Sequence, residues 1–229
     1  MKRTILLMLV AALVGPVAVG PGNAAAQSGL ELRIAPKAGL MTPADWFYVE
    51  YSHYGLEPTE WTETSILKTA VVGLTVELEF PGTDVWIRGE GLRTVDGVAL
   101  MTHKVLYGPT GFEPPREVVT GYRVAMAVTT GTIDLAFPTR LTLGPVQPYV
   151  TAGVGATRYD FDTAPFQDLP GEVVLPQPGV VPAANVGVGA IVTISGLAFD
   201  VQVRDALSEY WGRLQHNMMF MGGLSWSLF

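Results

Sequence analysis

The chain has 229 residues, with 14 Lys and Arg against 21 Asp and Glu, and a formal net charge of −7. Charged residues make up only 15%, well below the roughly 25% of an average soluble domain, and the 48% apolar content excludes a disordered chain. The lack of cysteine excludes disulfides, thiolate chemistry and cysteine-borne lipid, and the acidic balance excludes a nucleic-acid partner, which needs a basic footprint.

The amino-terminus reads as a targeting segment. Lys2 and Arg3 precede an apolar run from Ile5 to Val19, and Ala24-Ala25-Ala26 supplies small residues for cleavage before Gln27. This pattern predicts a secretory signal peptide over residues 1–26 and a mature domain over 27–229. Removing Lys2 and Arg3 takes the mature charge to 12 − 21 = −9. No later run has the 18 or so apolar residues of a membrane helix. If the mature chain crosses a membrane, it must do so as a closed barrel, which satisfies its backbone internally.

In chain order, the rest alternates with a period of two, the signature of half-buried strands. The first predicted strand, Leu30 to Leu40, sets Leu30, Leu32, Ile34, Ala38 and Leu40 against Glu31, Arg33 and Lys37. An aromatic loop follows, about Thr42 to Thr64, holding Trp46, Phe47, Tyr48, Tyr51, Tyr54 and Trp61. These aromatics suit an interfacial girdle, with a recognition surface as the alternative. The second strand, about Ile66 to Phe80, opposes Val72, Leu74, Val76, Leu78 and Phe80 to Glu77 and Glu79, and Pro81-Gly82-Thr83-Asp84 reads as a tight turn.

The third strand, Val85 to Leu92, puts Arg88 and Glu90 on the polar side together with Trp86, and a second long loop is expected from Arg93 to Val119. The fourth, Thr120 to Phe137, starts with Tyr122, Val124, Met126 and Val128 on its apolar face and reverses parity at Gly131, which predicts a β-bulge. On that reading Arg123 and Asp134 both fall on the polar side. The fifth strand spans Val146 to Phe161, and a third long loop runs from Asp162 to Pro182. Strands six and seven meet at Ser195-Gly196 and bring Asp200 and Arg204 to the polar face; a fourth loop covers Asp205 to Gln215. The last strand, His216 to Phe229, aligns Met218, Phe220, Leu224, Trp226 and Leu228, although Met219 and Met221 blur its other face.

Long and short connections alternate along the chain. Short turns therefore gather at one end and long loops at the other, the plan of an eight-stranded antiparallel up-and-down transmembrane β-barrel.

Some of these residues also carry a resemblance. Gly144-Pro145-Val146-Gln147-Pro148-Tyr149-Val150-Thr151-Ala152-Gly153-Val154-Gly155, with Asn185-Val186-Gly187-Val188-Gly189 and the ending Gly223 to Phe229, resembles the later strands of small outer-membrane β-barrel domain proteins. That group includes eight-stranded, porin-like barrels similar to the OmpA transmembrane domain. The resemblance implies the outer membrane of a Gram-negative-type cell as location. It also implies outer-membrane lipid, lipopolysaccharide and the barrel-assembly machinery as partners, but no catalytic residue. In that family the final aromatic shares a face with the residues two and four before it; here the apolar set is one residue out of step, leaving Phe229 off register.

The expected barrel-interior polar set is Glu31, Arg33, Lys37, Glu77, Glu79, Arg88, Glu90, Arg123, Asp134, Asp200 and Arg204, five cations and six acids. An eight-stranded barrel is just wide enough for side chains to fill, so these charges are expected to pair and close it, with a small pore as the alternative. The lipid-facing part of the terminal strand is expected to be Phe220, Leu224, Trp226 and Leu228.

His53, His103 and His216 have Asp45, Glu50 and Asp205 as conceivable partners. Their spacing matches no HExxH, Gly-x-Ser-x-Gly or phosphate-cradling loop. No catalytic residue, cofactor or metal site is therefore assigned, and an outer-membrane lipid-modifying enzyme is the weak alternative. Parity alone cannot tell inside from outside, so a soluble exported lipocalin-like barrel, with its apolar face inward, stays open. A monomer is expected.

Overall fold

A computed structural model describes residues 30–44, 48–54, 57–80, 85–107, 116–139, 144–166, 175–210 and 212–228. The signal segment, Trp46, Phe47, the Pro81–Asp84 turn and Phe229, with its expected register, lie outside them. The described residues form eleven strands: β1 Glu31–Ala44, β2 Tyr48–Tyr54, β3 Glu57–Ile66, β4 Thr69–Glu79, β5 Trp86–Val95, β6 Gly97–Tyr107, β7 Arg116–Pro138, β8 Val146–Phe161, β9 Gly179–Ile194, β10 Leu197–Tyr210 and β11 Arg213–Ser227. Eight of them close a ring in the order β7-β5-β4-β1-β11-β10-β9-β8, with β8 returning to β7. Every pairing is antiparallel, and the closing seam joins β1 to β11 from Arg33↔Ser227 to Ala44↔His216. Ser195 and Gly196, both left-handed (φ 51 and 81), make the two-residue turn between β9 and β10, as type I′ hairpins require.

Three expected loops are largely strand. The aromatic segment after Thr42 folds into β2 and β3, which pair from Tyr48↔Thr64 to Tyr54↔Glu57. Within the expected Arg93–Val119 loop, Gly97–Tyr107 is β6, which pairs with the first half of β7. The expected Asp205–Gln215 loop is β10 and β11 running on to the Tyr210↔Arg213 pair. β3 continues into β4 across Leu67 and Lys68, and β5 into β6 across Asp96, a non-glycine residue at φ 51. Strands β2, β3, β6 and the start of β7 thus form a sheet projecting past the ring, at the end opposite the Ser195-Gly196 turn. β7 has 23 residues, about twice the ~9–11 that cross a bilayer tilted.

The two faces of the ring are chemically opposite. Large aliphatic and aromatic side chains point outward on every ring strand: Leu40, Val72, Ile87, Leu135, Val150, Val188, Val201 and Phe220 are all exposed. Inward lie three tiers. Nearest the turn end, Trp86, Ala136, Tyr149 and Ile191 pack together. The charged residues come next, and beyond them sits an apolar plug containing Met41, Met101, Met126, Met219, Met221, Val124, Val128, Tyr159, Phe161 and Tyr210. Tyr159 ties the plug to polar neighbours, bonding Ser208 at 2.8 Å and accepting from Asn217 at 2.8 Å.

This tiering corrects the bulge expected at Gly131. The ladders of β7 with β5, β6 and β8 run without a register shift. Val124, Met126, Val128, Thr130, Thr132 and Asp134 all face inward. The geometry is continuous; what changes is the interior's chemistry, from charged tier to apolar plug. Arg123 is therefore on the outward, exposed face, and the expected interior set loses one cation.

Candidate functional site, a buried alternating ion chain

The charged tier is built by inward positions two or four residues apart within a strand. β1 supplies Arg33 and Lys37, β4 supplies Glu77 and Glu79, β5 supplies Arg88 and Glu90, β7 supplies Asp134, and β10 supplies Asp200 and Arg204. The side chains alternate in sign. Arg33 reaches Glu79 at 2.7 Å, Glu31 at 2.8 Å and Glu77 at 3.2 Å. Glu77 meets Arg88 at 2.5 Å, and Arg88 lies 3.5 Å from Asp200. Asp200 binds Lys37 at 2.9 Å, Lys37 binds Glu90 at 3.2 Å, Glu90 pairs with Arg204, and Arg204 reaches Asp134 at 3.5 Å.

Each cation thus sits between at least two carboxylates. Isolated buried ions cost several kcal/mol each, and only close pairing with further hydrogen bonds offsets that. The further bonds are present. Tyr149 accepts from Arg88 at 2.9 Å and donates to Asp200 at 2.5 Å. Thr75 donates to Glu90 at 2.9 Å, Lys37 donates to Gln202 at 2.7 Å, and Asn185 donates to Asp134 at 2.7 Å. Arg88 also stacks 4.5 Å from the Tyr149 ring centroid and Arg33 5.1 Å from that of Trp86, contacts in which the ring face attracts the cation.

Two neighbouring-strand residues make room for this. Tyr149 stands directly opposite Gly189, and any Cβ there would overlap the phenol. Gly223 on β11 likewise leaves space for the Lys37 stem. Between Arg33, Glu77, Arg88 and Asp200 lies a cavity of about 10 Å³, the size of one water. A wider recess of about 330 Å³ opens at the turn end beside Glu31, Arg33, Leu197 and Trp226.

Ten of the eleven residues assigned to the interior fall on this chain, and Arg123 does not. Among the described residues the ion chain therefore holds four cations, Arg33, Lys37, Arg88 and Arg204, against six acids. The two extra carboxylates include Glu31 and Glu79 at the half-open turn end. Tyr149, Asn185 and Gln202 were missed as partners, although each shares the parity of the charges. Phe220 and Trp226 of β11 and Leu228 just past it point outward and exposed, and Leu224 is half-buried on the same face.

Of the histidines, His103 is buried on β6, 3.2 Å from the Thr62 hydroxyl. His216 faces outward on β11, 2.7 Å from Asp205. The side chain of His53 and those of Tyr48, Tyr51, Tyr54 and Trp61 lie outside the described residues. Every carboxylate of the ion chain is engaged by a cation, so the tier is arranged as a strut across the barrel rather than as an acid–base pair facing a substrate.

No protein-family model matches the chain, and no curated protein matches it. Several solved structures do. Neisserial surface protein A has 14% identity over 86% of this chain and 96% of its own, with a TM-score of 0.41. The outer membrane protein OprG of Pseudomonas aeruginosa has 13% identity over 87% and 97%, with a TM-score of 0.45. Ail, the attachment invasion locus protein of Yersinia pestis, has 12% identity over 86% and 99%, with a TM-score of 0.40. At this level the likeness is one of fold: the chain is similar to small outer-membrane β-barrel proteins.

Proposed function

We propose that the chain is an integral outer-membrane β-barrel, closed by its interior ion chain and apolar plug, that presents a projecting sheet to the cell exterior. The observation that carries this is the outward apolar surface. Phe80, Phe137, Phe199 and Trp226 ring the turn end, and aliphatic residues cover every ring strand above them. A soluble protein does not expose a continuous belt of this kind, whereas a membrane barrel requires one about 25 Å tall. A lipocalin-like barrel would need the opposite facing, with Arg88 and Arg204 outside and Val188 and Val201 inside.

In this reading the Ser195-Gly196 end is periplasmic. Lipopolysaccharide and outer-leaflet lipid surround the far rim, the assembly machinery inserts the chain, and β2, β3, β6 and the start of β7 stand clear of the bilayer as a contact surface. The role is structural or adhesive rather than conductive, because charged tier and plug occupy the lumen in series. The test is fractionation followed by gel migration with and without boiling. Membrane-bound, heat-shifted protein is expected; protein recovered wholly from the soluble periplasm would overturn the reading. Reproducible single-channel openings in planar bilayers would overturn the closed interior.

A further inference from the structure

Resting on the membrane reading above, we propose that the outward face of β5, β7 and β8 is a binding site for one phosphorylated outer-leaflet lipid. Its phosphate would lie between Arg93 and Arg158, and an acyl chain would follow the groove below.

The ladders fix the layout. Arg93 stands opposite Thr129, and Thr129 opposite Arg158, so the two arginines flank one threonine with Cα atoms about 10 Å apart, two strand spacings. Both are exposed on the outward face. Arg158 uses Nε to hold Asp160 at 2.8 Å, which leaves its terminal nitrogens for a ligand. The Thr129 hydroxyl between them is buried without a hydrogen-bond partner among the described residues.

The next outward row toward the turn end is Gly91, Gly131 and Ala156, and the one after is Gly89, Ile133 and Val154. A side chain at Gly91 or Gly131 would meet nothing within 4 Å. The belt is therefore notched here, and Ile133 and Val154 along its side are 67% and 68% exposed. Ile87 and Leu135 close the notch below.

Depth supplies the rest. Eight residues separate the Phe137 row from the Thr129 row, a rise of about 20 Å along a barrel axis with strands tilted near 40°. Arginine at the lipid face is costly at the midplane and nearly free close to the interface. From this depth the side chains extend upward to the headgroup layer. A phosphate is the group that a pair of guanidinium forks recognises there. The notch beneath admits a chain that the rest of the belt would hold one side chain further out.

Native mass spectrometry of the full barrel, released from detergent, tests this with a diphosphorylated lipid A-type glycolipid, its dephosphorylated counterpart and inorganic phosphate as probes. The phosphorylated lipid should bind about tenfold more tightly than the dephosphorylated one, given two cations acting on one phosphate. The Arg93→Gln/Arg158→Gln pair should erase that preference, and Gly91→Leu/Gly131→Leu should weaken both lipids. Arg213→Gln, on β11 across the barrel, should change neither. A preference that survives the arginine pair, lipid binding untouched by the leucines, or displacement by millimolar inorganic phosphate would each overturn the site. Heat-shifted gel migration of every variant reports on the barrel itself, so loss of that shift in the parent protein would count against the membrane reading instead.

Discussion

Arg88→Met is the sharpest probe of the interior, because Arg88 is buried at 1% exposure and links Glu77, Tyr149 and Asp200. The substitution keeps much of the side-chain volume and removes the bonds to Glu77 at 2.9 and 2.5 Å and to Tyr149 at 2.9 Å, together with the 3.5 Å contact to Asp200. Breaking a buried pair from one side costs about 3–5 kcal/mol, because the partner stays buried and uncompensated. Glu77 keeps Arg33 and Asp200 keeps Lys37, so the expected loss lies at the lower end, about 3 kcal/mol.

Removing Glu77 as well removes the orphaned charge. The double variant Arg88→Met/Glu77→Gln should therefore be less destabilised than the two single variants added together, with a coupling of about 1–3 kcal/mol. Urea unfolding of barrel refolded into detergent, followed by tryptophan fluorescence, measures all three, with buried Trp86 as a local reporter. A loss under about 1 kcal/mol for Arg88→Met, the value of an exposed pair, would refute the claim that this tier is buried and coupled. Strict additivity in the cycle would do the same.

Four further outcomes follow from other parts of the barrel. Arg123→Gln should change stability by no more than about 0.5 kcal/mol, as surface substitutions do; a loss like that of Arg88→Met would return Arg123 to the interior. Gly189→Val should destabilise by about 1–3 kcal/mol through overpacking, read from the urea midpoint, since its side chain overlaps the Tyr149 ring; an unchanged midpoint would mean Tyr149 does not cross that strand. Val188→Arg should cost about 2–4 kcal/mol if it lies near mid-membrane, seen as a smaller heat-shifted band, and full yield would place it outside the belt. Met101→Ala, fully buried in the plug, should cost about 2–5 kcal/mol without opening a conductance, because the ion chain still fills the lumen below.

Much of the ring could be read from alternation alone. Strands with one charged and one aliphatic face, such as β4 with Glu77 against Val76, or β10 with Asp200 against Val201, have the same parity in sequence and structure. Alternation failed where it stopped having two chemistries to separate. In β7 before Gly131 the interior is Val128, Met126 and Val124, as apolar as any lipid face, while the outward row turns to Ala125 and Arg123 near the rim. Reading apolar as outward inverts both faces there, and the inversion looked like a bulge. Met219 and Met221 carried the same information on β11, since they blurred the polar face because they belong to the plug.

The projecting sheet was hidden for a different reason. Glu57 to Ile66 and Gly97 to Tyr107 have no lipid belt to face and only a few inward residues, Ile66, Ala99 and Met101, in the plug, so their mixed polar and aromatic sequence reads as loop. Which carboxylate meets which cation was not legible either. That depends on the pairing register, which places Lys37 of β1 and Asp200 of β10 on either side of Gly223 so that their side chains meet over it.

The seam between β1 and β11 joins the first strand of the ring to the last. Each other ring pair except β1–β4 and β5–β7, which have β2–β3 and β6 between them in sequence, joins consecutive strands and could form as soon as they meet, but this one waits for the whole barrel to be in hand. Contacts of such wide sequence separation are slow to form, and until the seam closes the apolar face of Phe220, Trp226 and Leu228 sits on an unpaired edge. Pro36 adds to this, since it has no N–H to give and sits in β1 opposite the Gly222-Gly223 region of the partner strand. The barrel should therefore fold with closure as its last and rate-limiting event, and a chain stalled short of it would be an open sheet ready to pair with another copy.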